Sequence, residues 1–149
     1  MNESSRASAF IFLVDDNPAD VYLVRHALKE NEVLHEMQVA SDGEEALAFL
    51  SREPALAEQS TPALIVLDLN LPRHDGMEVL RYIRQHDRLA SVPVMILTSS
   101  NSPKDRCTAT ALGATEYLQK PCSLHEFIAI GSVIKRVLAE HSSQARVRG

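Results

Sequence analysis

Three aspartates, Asp15, Asp16 and Asp68, each follow an apolar run, and their chemistry depends on whether those runs lie side by side. Asp15 and Asp16 follow the run from Ala9 to Val14, and Asp68 follows the run from Ala63 to Leu67. Short apolar runs bounded by breakers read as buried parallel strands. Parallel strands in an open α/β sheet bring their carboxyl ends to one rim, where ligands bind. Three carboxylates gathered there repel one another unless a hard cation sits among them. Thr98 ends a further run, Val92 to Leu97, and Lys120 closely follows another, Thr115 to Leu118. The same rim therefore collects two adjacent acids, a lone acid, a hydroxyl and an ammonium.

That set suits phosphoryl chemistry. A carboxylate trio with few other ligands fits Mg²⁺, which takes oxygen donors, keeps several waters and works beside phosphate oxygens. No Cys or His cluster accompanies the acids to favour a softer metal. Lys120 and Thr98 can offer a positive charge and a hydroxyl donor to one phosphoryl group, and such parts act by positioning and electrostatics. An aspartate can itself attack phosphorus and form an aspartyl-phosphate. Asp68 stands alone and is the natural nucleophile, with Asp15 and Asp16 as the metal-holding pair.

Blander readings fit less well. Paired acids before a helix often only cap it, but that leaves Asp68, Thr98 and Lys120 unexplained. A calcium loop starting at Asp68 fails, because Pro72 holds its fifth position and Val79 its twelfth. A phosphatase built on two aspartates one residue apart fails, because Asn70 stands where the acid–base would be. The six histidines (His26, His35, His74, His86, His125 and His141) show no helical metal spacing. None reads as a kinase phospho-acceptor, so the phosphoryl donor is expected to be another molecule.

The elements that position these residues alternate five times. The run from Ala9 to Val14 is a first strand, and Asn17-Pro18 then opens a helix with Asn as N-cap and Pro at the first helical position. A weaker, edge-like strand spans about Leu34 to Val39, followed by a short helix from Asp42-Gly43 through Leu50. An extended connection, Ser51 to Pro62, leads to the third strand. Asp75-Gly76 precedes a helix carrying Met77, Leu80 and Ile83 on one face. The fourth strand ends on Thr98, Ser102-Pro103 opens a helix stopped by Gly113, and the fifth strand is Thr115 to Leu118. The last helix is expected from Ser123 to about Glu140, with residues 141–149 a flexible tail. Residues 1–8 form a flexible N-terminus and residues 9–140 one domain. The series is (βα)5, which implies a doubly wound parallel sheet with helices on both faces.

Composition agrees with such a domain. A chain of 149 residues carrying 45% hydrophobic and 23% charged residues is ordinary for one globular unit. A net charge of −5 argues against a general nucleic-acid surface, so no direct DNA binding is expected. Cys107 and Cys122 lack metal spacing and read as thiols in a reducing compartment. With no signal-peptide pattern and no run near the ~20 apolar residues that span a bilayer, the expected location is cytoplasmic, away from membranes.

Four segments together resemble the motif set of response-regulator receiver domains. They are Leu-Val-Asp-Asp-Asn at 13–17, Val-Leu-Asp-Leu-Asn-Leu-Pro-Arg-His-Asp-Gly at 66–76, Ile-Leu-Thr-Ser-Ser at 96–100 and Tyr-Leu-Gln-Lys-Pro at 117–121. The resemblance covers roughly residues 9–140. It implies a flavodoxin-like receiver fold with a five-stranded sheet in the order 2-1-3-4-5. It also implies that Asp68 accepts phosphoryl from a sensor histidine kinase. Asp16, Asp68 and the backbone carbonyl of Asn70 would bind Mg²⁺, with Asp15 acting through water. Thr98 would hydrogen-bond the phosphoryl group and Lys120 would pair with it. Tyr117 matches the family's switch aromatic, Asn70 and Ser100 match positions that tune hydrolysis, and the Lys120–Pro121 bond is expected to be cis. The Ser51–Pro62 connection and the segment from Gln85 to Pro93 resemble stand-alone regulators of phytochrome-type histidine kinases.

The last helix carries Leu124, Phe127, Ile128, Gly131, Ile134 and Leu138 as a core-facing stripe. Ile130, Val133 and Val137 widen the apolar arc and suggest a homodimer or partner surface. The leading expectation is a single-domain two-component regulator, not an enzyme beyond its own phosphorylation and dephosphorylation, whose output is by contact or phosphotransfer. The alternative is a phosphorelay intermediate or phosphate sink without its own effector. A flavodoxin-like electron carrier is disfavoured, because the acidic Asp15–Asp20 turn repels a flavin phosphate.

Overall fold

Every strand lies parallel to its neighbours in one sheet ordered β2-β1-β3-β4-β5. The strands are β1 (Ala9–Val14), β2 (His35–Ala40), β3 (Leu64–Leu67), β4 (Val94–Thr98) and β5 (Glu116–Gln119). The helices between them are α1 (Pro18–Glu30), α2 (Gly43–Leu50), α3 (Gly76–Gln85), α4 (Pro103–Ala111) and α5 (Leu124–Arg148). This computed structural model describes residues 8–52 and 61–148, with side chains to residue 141. Residues 1–7 of the expected flexible N-terminus and most of the Ser51–Pro62 connection lie outside the described residues.

The strand sequences explain the layering. Successive strand side chains point to opposite faces, and β3 and β4 are buried on both, hence their unbroken apolar runs. Phe12, Val14, Ile65, Leu67, Val94 and Ile96 pack with α2, α3 and α4 residues such as Ala46, Leu50, Leu80, Ile83 and Ala109. The alternating residues Ile11, Leu13, Leu64, Val66, Met95 and Leu97 pack with Val24 and Leu28 of α1 and Phe127, Ile130, Ile134 and Val137 of α5. At the sheet edge, β2 alternates half-buried and exposed residues.

Side chains cap the helices where the residue types suggested. Asn17, Asp42, Asp75 and Ser102 accept backbone N–H bonds at the starts of α1, α2, α3 and α4. Gly113 follows the end of α4 with φ +89°, a left-handed conformation that suits a residue without a side chain.

Three expectations need correction. Ile130 and Val137 are core residues, 5% and 0% exposed, and do not widen an exposed arc. The reason is that α5 covers both the sheet and α1 and needs a broad apolar face. The α5 homodimer surface loses that support, leaving Leu124 exposed on this stripe. Secondly, α5 stays helical to Arg148, beyond the end expected at Glu140. No Pro or Gly occurs between Gly131 and Gly149 to stop it. Thirdly, the Lys120–Pro121 bond is trans, as are all peptide bonds among the described residues; an X–Pro bond differs little in energy between its two forms.

Helices α1 and α5 touch at Gly131. A Cβ there would lie 2.4 Å from the Ala27 carbonyl oxygen and 2.3 Å from the Asn31 amide nitrogen. Asn31 Nδ2 donates to the carbonyls of Ala27 (2.8 Å) and Ile128 (2.9 Å), tying the helices together. Gly131→Ala is expected to destabilise the fold by about 1–3 kcal/mol, the usual cost of overpacking a dense contact. Urea unfolding of the variant checks this, and a midpoint equal to that of the parent chain rules it out.

Candidate functional site

The sheet brings the expected residues to one rim. β1 delivers Asp15 and Asp16, β3 delivers Asp68, β4 ends on Thr98, and Lys120 follows β5 directly. Backbone bonds hold these ends in register: Asp15 N–H donates to Ala40, Asp68 N–H to Val14, and Lys120 N–H to Thr98 (3.0, 3.0 and 2.8 Å). Gly76 keeps the β3–α3 connection tight against the site. A Cβ at that position would lie 2.3 Å from the Asp68 carbonyl oxygen.

One ammonium sits among three carboxylates. Lys120 Nζ lies 2.8 Å from Asp68 Oδ2, 2.7 Å from Asp20 Oδ2 and 3.1 Å from Asp15 Oδ2. The contacts to Asp20 and Asp68 are hydrogen bonds. Asp15 Oδ2 is within ion-pairing distance but outside hydrogen-bond geometry, so this buried oxygen has no hydrogen-bond partner. Its other oxygen accepts the Asn17 N–H at 2.9 Å. Burial pushes the Asp15 carboxyl above its ordinary value, although the Asn17 N–H and Lys120 pull the other way. Burial acts to lower the Lys120 value, but the bonds to Asp20 and Asp68 and the attraction of Asp15 and Asp68 outweigh it. The ammonium therefore stays charged.

Asn70 and Thr98 complete the surroundings. Asn70 N–H donates to Asp68 Oδ1 at 3.0 Å, and Asn70 Nδ2 donates to Thr98 Oγ1 at 3.4 Å. Thr98 is fully buried, and its hydroxyl oxygen also accepts the Ser100 N–H at 3.3 Å. Ser100 Oγ donates to Asp105 Oδ2 at 2.8 Å. An open cleft lined by Asp16, Asn70, Pro72, Asp75 and Asp105 leads to this corner. Tyr117 packs, partly buried, against the α2–α3–α4 layer. Its hydroxyl is buried without a partner, and the Arg106 guanidinium lies 4.7 Å from its ring centre.

Asp15, Asp16 and Asp68 offer one carboxylate oxygen each, all within 4.8 Å of one another. Among the described residues this is the one such group of acid, His or Cys side chains. Oxygen donors alone, with one buried oxygen lacking a hydrogen-bond partner, fit a hard divalent cation. Asp20 was not among the residues singled out from sequence. Its signal was there in part: an acid in the first turn of a helix that starts at the rim.

The family model described as the response regulator receiver domain matches residues 11–131. The chain belongs to this family. Response regulator Rcp1 of Synechocystis sp. (strain ATCC 27184 / PCC 6803 / Kazusa) is 38% identical over 126 residues, covering 85% of this chain and 86% of that protein. Transcriptional regulatory protein TrcR of Mycobacterium tuberculosis is 39% identical over 80% of this chain, which spans 42% of that longer protein. Among solved structures, the phosphorylated cyanobacterial phytochrome response regulator RcpA superposes with TM-score 0.81 at 38% identity, covering 89% of this chain and 95% of that one. The Mn²⁺-bound form of Rcp1 superposes with TM-score 0.77 at 37% identity, covering 85% and 91%. This receiver domain is a two-component signalling protein that accepts phosphoryl on an aspartate, and sensor histidine kinases phosphorylate such domains. Receiver domains bind a divalent cation in an acidic pocket. No helix among its described residues is long and apolar enough to cross a membrane.

Proposed function

We propose that Asp68 is the phosphoryl acceptor and that the domain takes the group from the phosphohistidine of a phytochrome-type sensor kinase in the cytoplasm. One observation carries the assignment. Asp68 is the acid that reaches the cation-binding group, the Lys120 ammonium and the Asn70 amide at once. The phytochrome link rests on the 38% identity to Rcp1 and RcpA. Asp16, Asp68 and the Asn70 carbonyl would hold Mg²⁺, with Asp15 joined through water. The bound cation supplies positive charge to phosphoryl oxygens.

The chain's own residues do the rest. A carboxylate oxygen of Asp68 attacks phosphorus. As the O–P bond forms, the P–N bond to the donor imidazole breaks and its electron pair leaves with the ring. The buried Lys120 ammonium offsets charge on the arriving group without leaving its place. Thr98 Oγ1 now only accepts hydrogen bonds from Asn70 and Ser100, so its own proton is free for a phosphoryl oxygen. Movement of Thr98 toward that oxygen opens space for the Tyr117 ring, and phosphorylation shifts this equilibrium by binding one arrangement better. The domain catalyses its own phosphorylation and dephosphorylation and no other reaction.

Incubation of the native chain with Mg²⁺ and acetyl phosphate tests the assignment. The expected result is a gain of ~80 Da, the mass added in an acyl phosphate, lost when Mg²⁺ is chelated. Borohydride reduction followed by peptide mapping should convert Asp68 to homoserine. A label on any other residue overturns the assignment.

A further inference from the structure

We propose that Asp20 is a positioning residue for phosphoryl acceptance, holding the Lys120 ammonium at the distance from Asp68 that the incoming group requires. The inference rests on the reading of Asp68 as acceptor. Asp20 makes the shortest contact to that ammonium, 2.7 Å, against 2.8 Å for Asp68 and 3.1 Å for Asp15. It stands outside the group of three acids that could share a cation. Its side chain is 15% exposed and that of Lys120 13%, so the pair is largely shielded from solvent.

The geometry gives Asp20 work that no other acid at the rim can do. A lysine carries its charge on a flexible four-carbon stem. Asp15 and Asp68, its other two carboxylate partners, both belong to the cation-binding group, and Asp20 does not. Asp20 approaches from the first turn of α1, whose start is fixed by Pro18 and the Asn17 cap. A rigid anchor there keeps the charge from collapsing onto the acceptor, where it would compete with cation and phosphoryl group alike. Misplacing a charge-stabilising group slows a phosphoryl transfer that depends on position.

Asp20 also suits the dipole at the start of α1, and a purely structural acid would affect stability alone. Initial rates of Asp68 phosphorylation, measured on the full chain at saturating acetyl phosphate and Mg²⁺, separate the two roles. Asp20→Asn is expected to slow the rate about tenfold, the coupling typical of residues in direct contact. The Kd for Mg²⁺, measured by calorimetry, should stay within about twofold, as befits a side chain that is not a ligand. Asp20→Glu keeps the charge and should recover part of the rate. In a Lys120→Ala background, Asp20→Asn should have no further effect, because its target is gone. An unchanged rate in Asp20→Asn, or the same slowing with and without Lys120, overturns the positioning role while leaving Asp68 as acceptor. Native chain that gains no phosphoryl group on Asp68 overturns both.

Discussion

Asp68→Asn is expected to gain no mass from acetyl phosphate and Mg²⁺, whereas the native chain gains ~80 Da. The side-chain amide is a poor nucleophile, and the substitution removes a formal charge from both the cation group and the Lys120 pair. Loss of the fold would not explain the result. The amide oxygen can still accept the Asn70 N–H that Asp68 Oδ1 accepts now. Circular dichroism of the variant should match the native spectrum. A full mass gain in this variant would mean that another side chain takes the phosphoryl group, and the mechanism would fail.

Lys120→Ala carries the second large effect, visible without any phosphodonor. Three carboxylates, two of them under 5% exposed at the side chain, would lose the cation between them. Removing one partner from a buried ionic cluster costs about 3 kcal/mol or more, because the remaining charge is uncompensated. The pH dependence has a definite sign. Burial already raises the Asp15 carboxyl, and losing the ammonium raises it further. A carboxyl with a higher value in the folded state than in the unfolded state binds protons preferentially when folded. The cost is therefore full above the folded value and relieved as pH falls through it. The stability gap between variant and native chain should be larger at pH 8 than at pH 5, and Mg²⁺ should narrow it at pH 8. Equal gaps at both values would show that Lys120 does not neutralise these acids.

The sequence made the rim legible because it depends on strand ends. Apolar runs located Asp15, Asp68 and Thr98, and the caps Asn17, Asp42, Asp75 and Ser102 marked four helix starts. Boundaries slipped by a residue or two where burial changes gradually, as at Leu34, which is 51% exposed just before β2. Asp20 stayed hidden because its role is a contact across 100 residues, to Lys120 on the far side of the sheet order. The apolar arc of α5 was misjudged for a related reason. Periodicity tells how wide an apolar face is, but only the packed α1–α5 contact at Gly131 tells what covers it.

The central sheet keeps its two apolar layers apart, one under α2, α3 and α4 and the other under α1 and α5. Among the described residues, no core side chain belongs to both. Volume changes on opposite sides should then combine additively, as independent substitutions do. Either layer can then change its side-chain volumes while the packing of the other stays as it is.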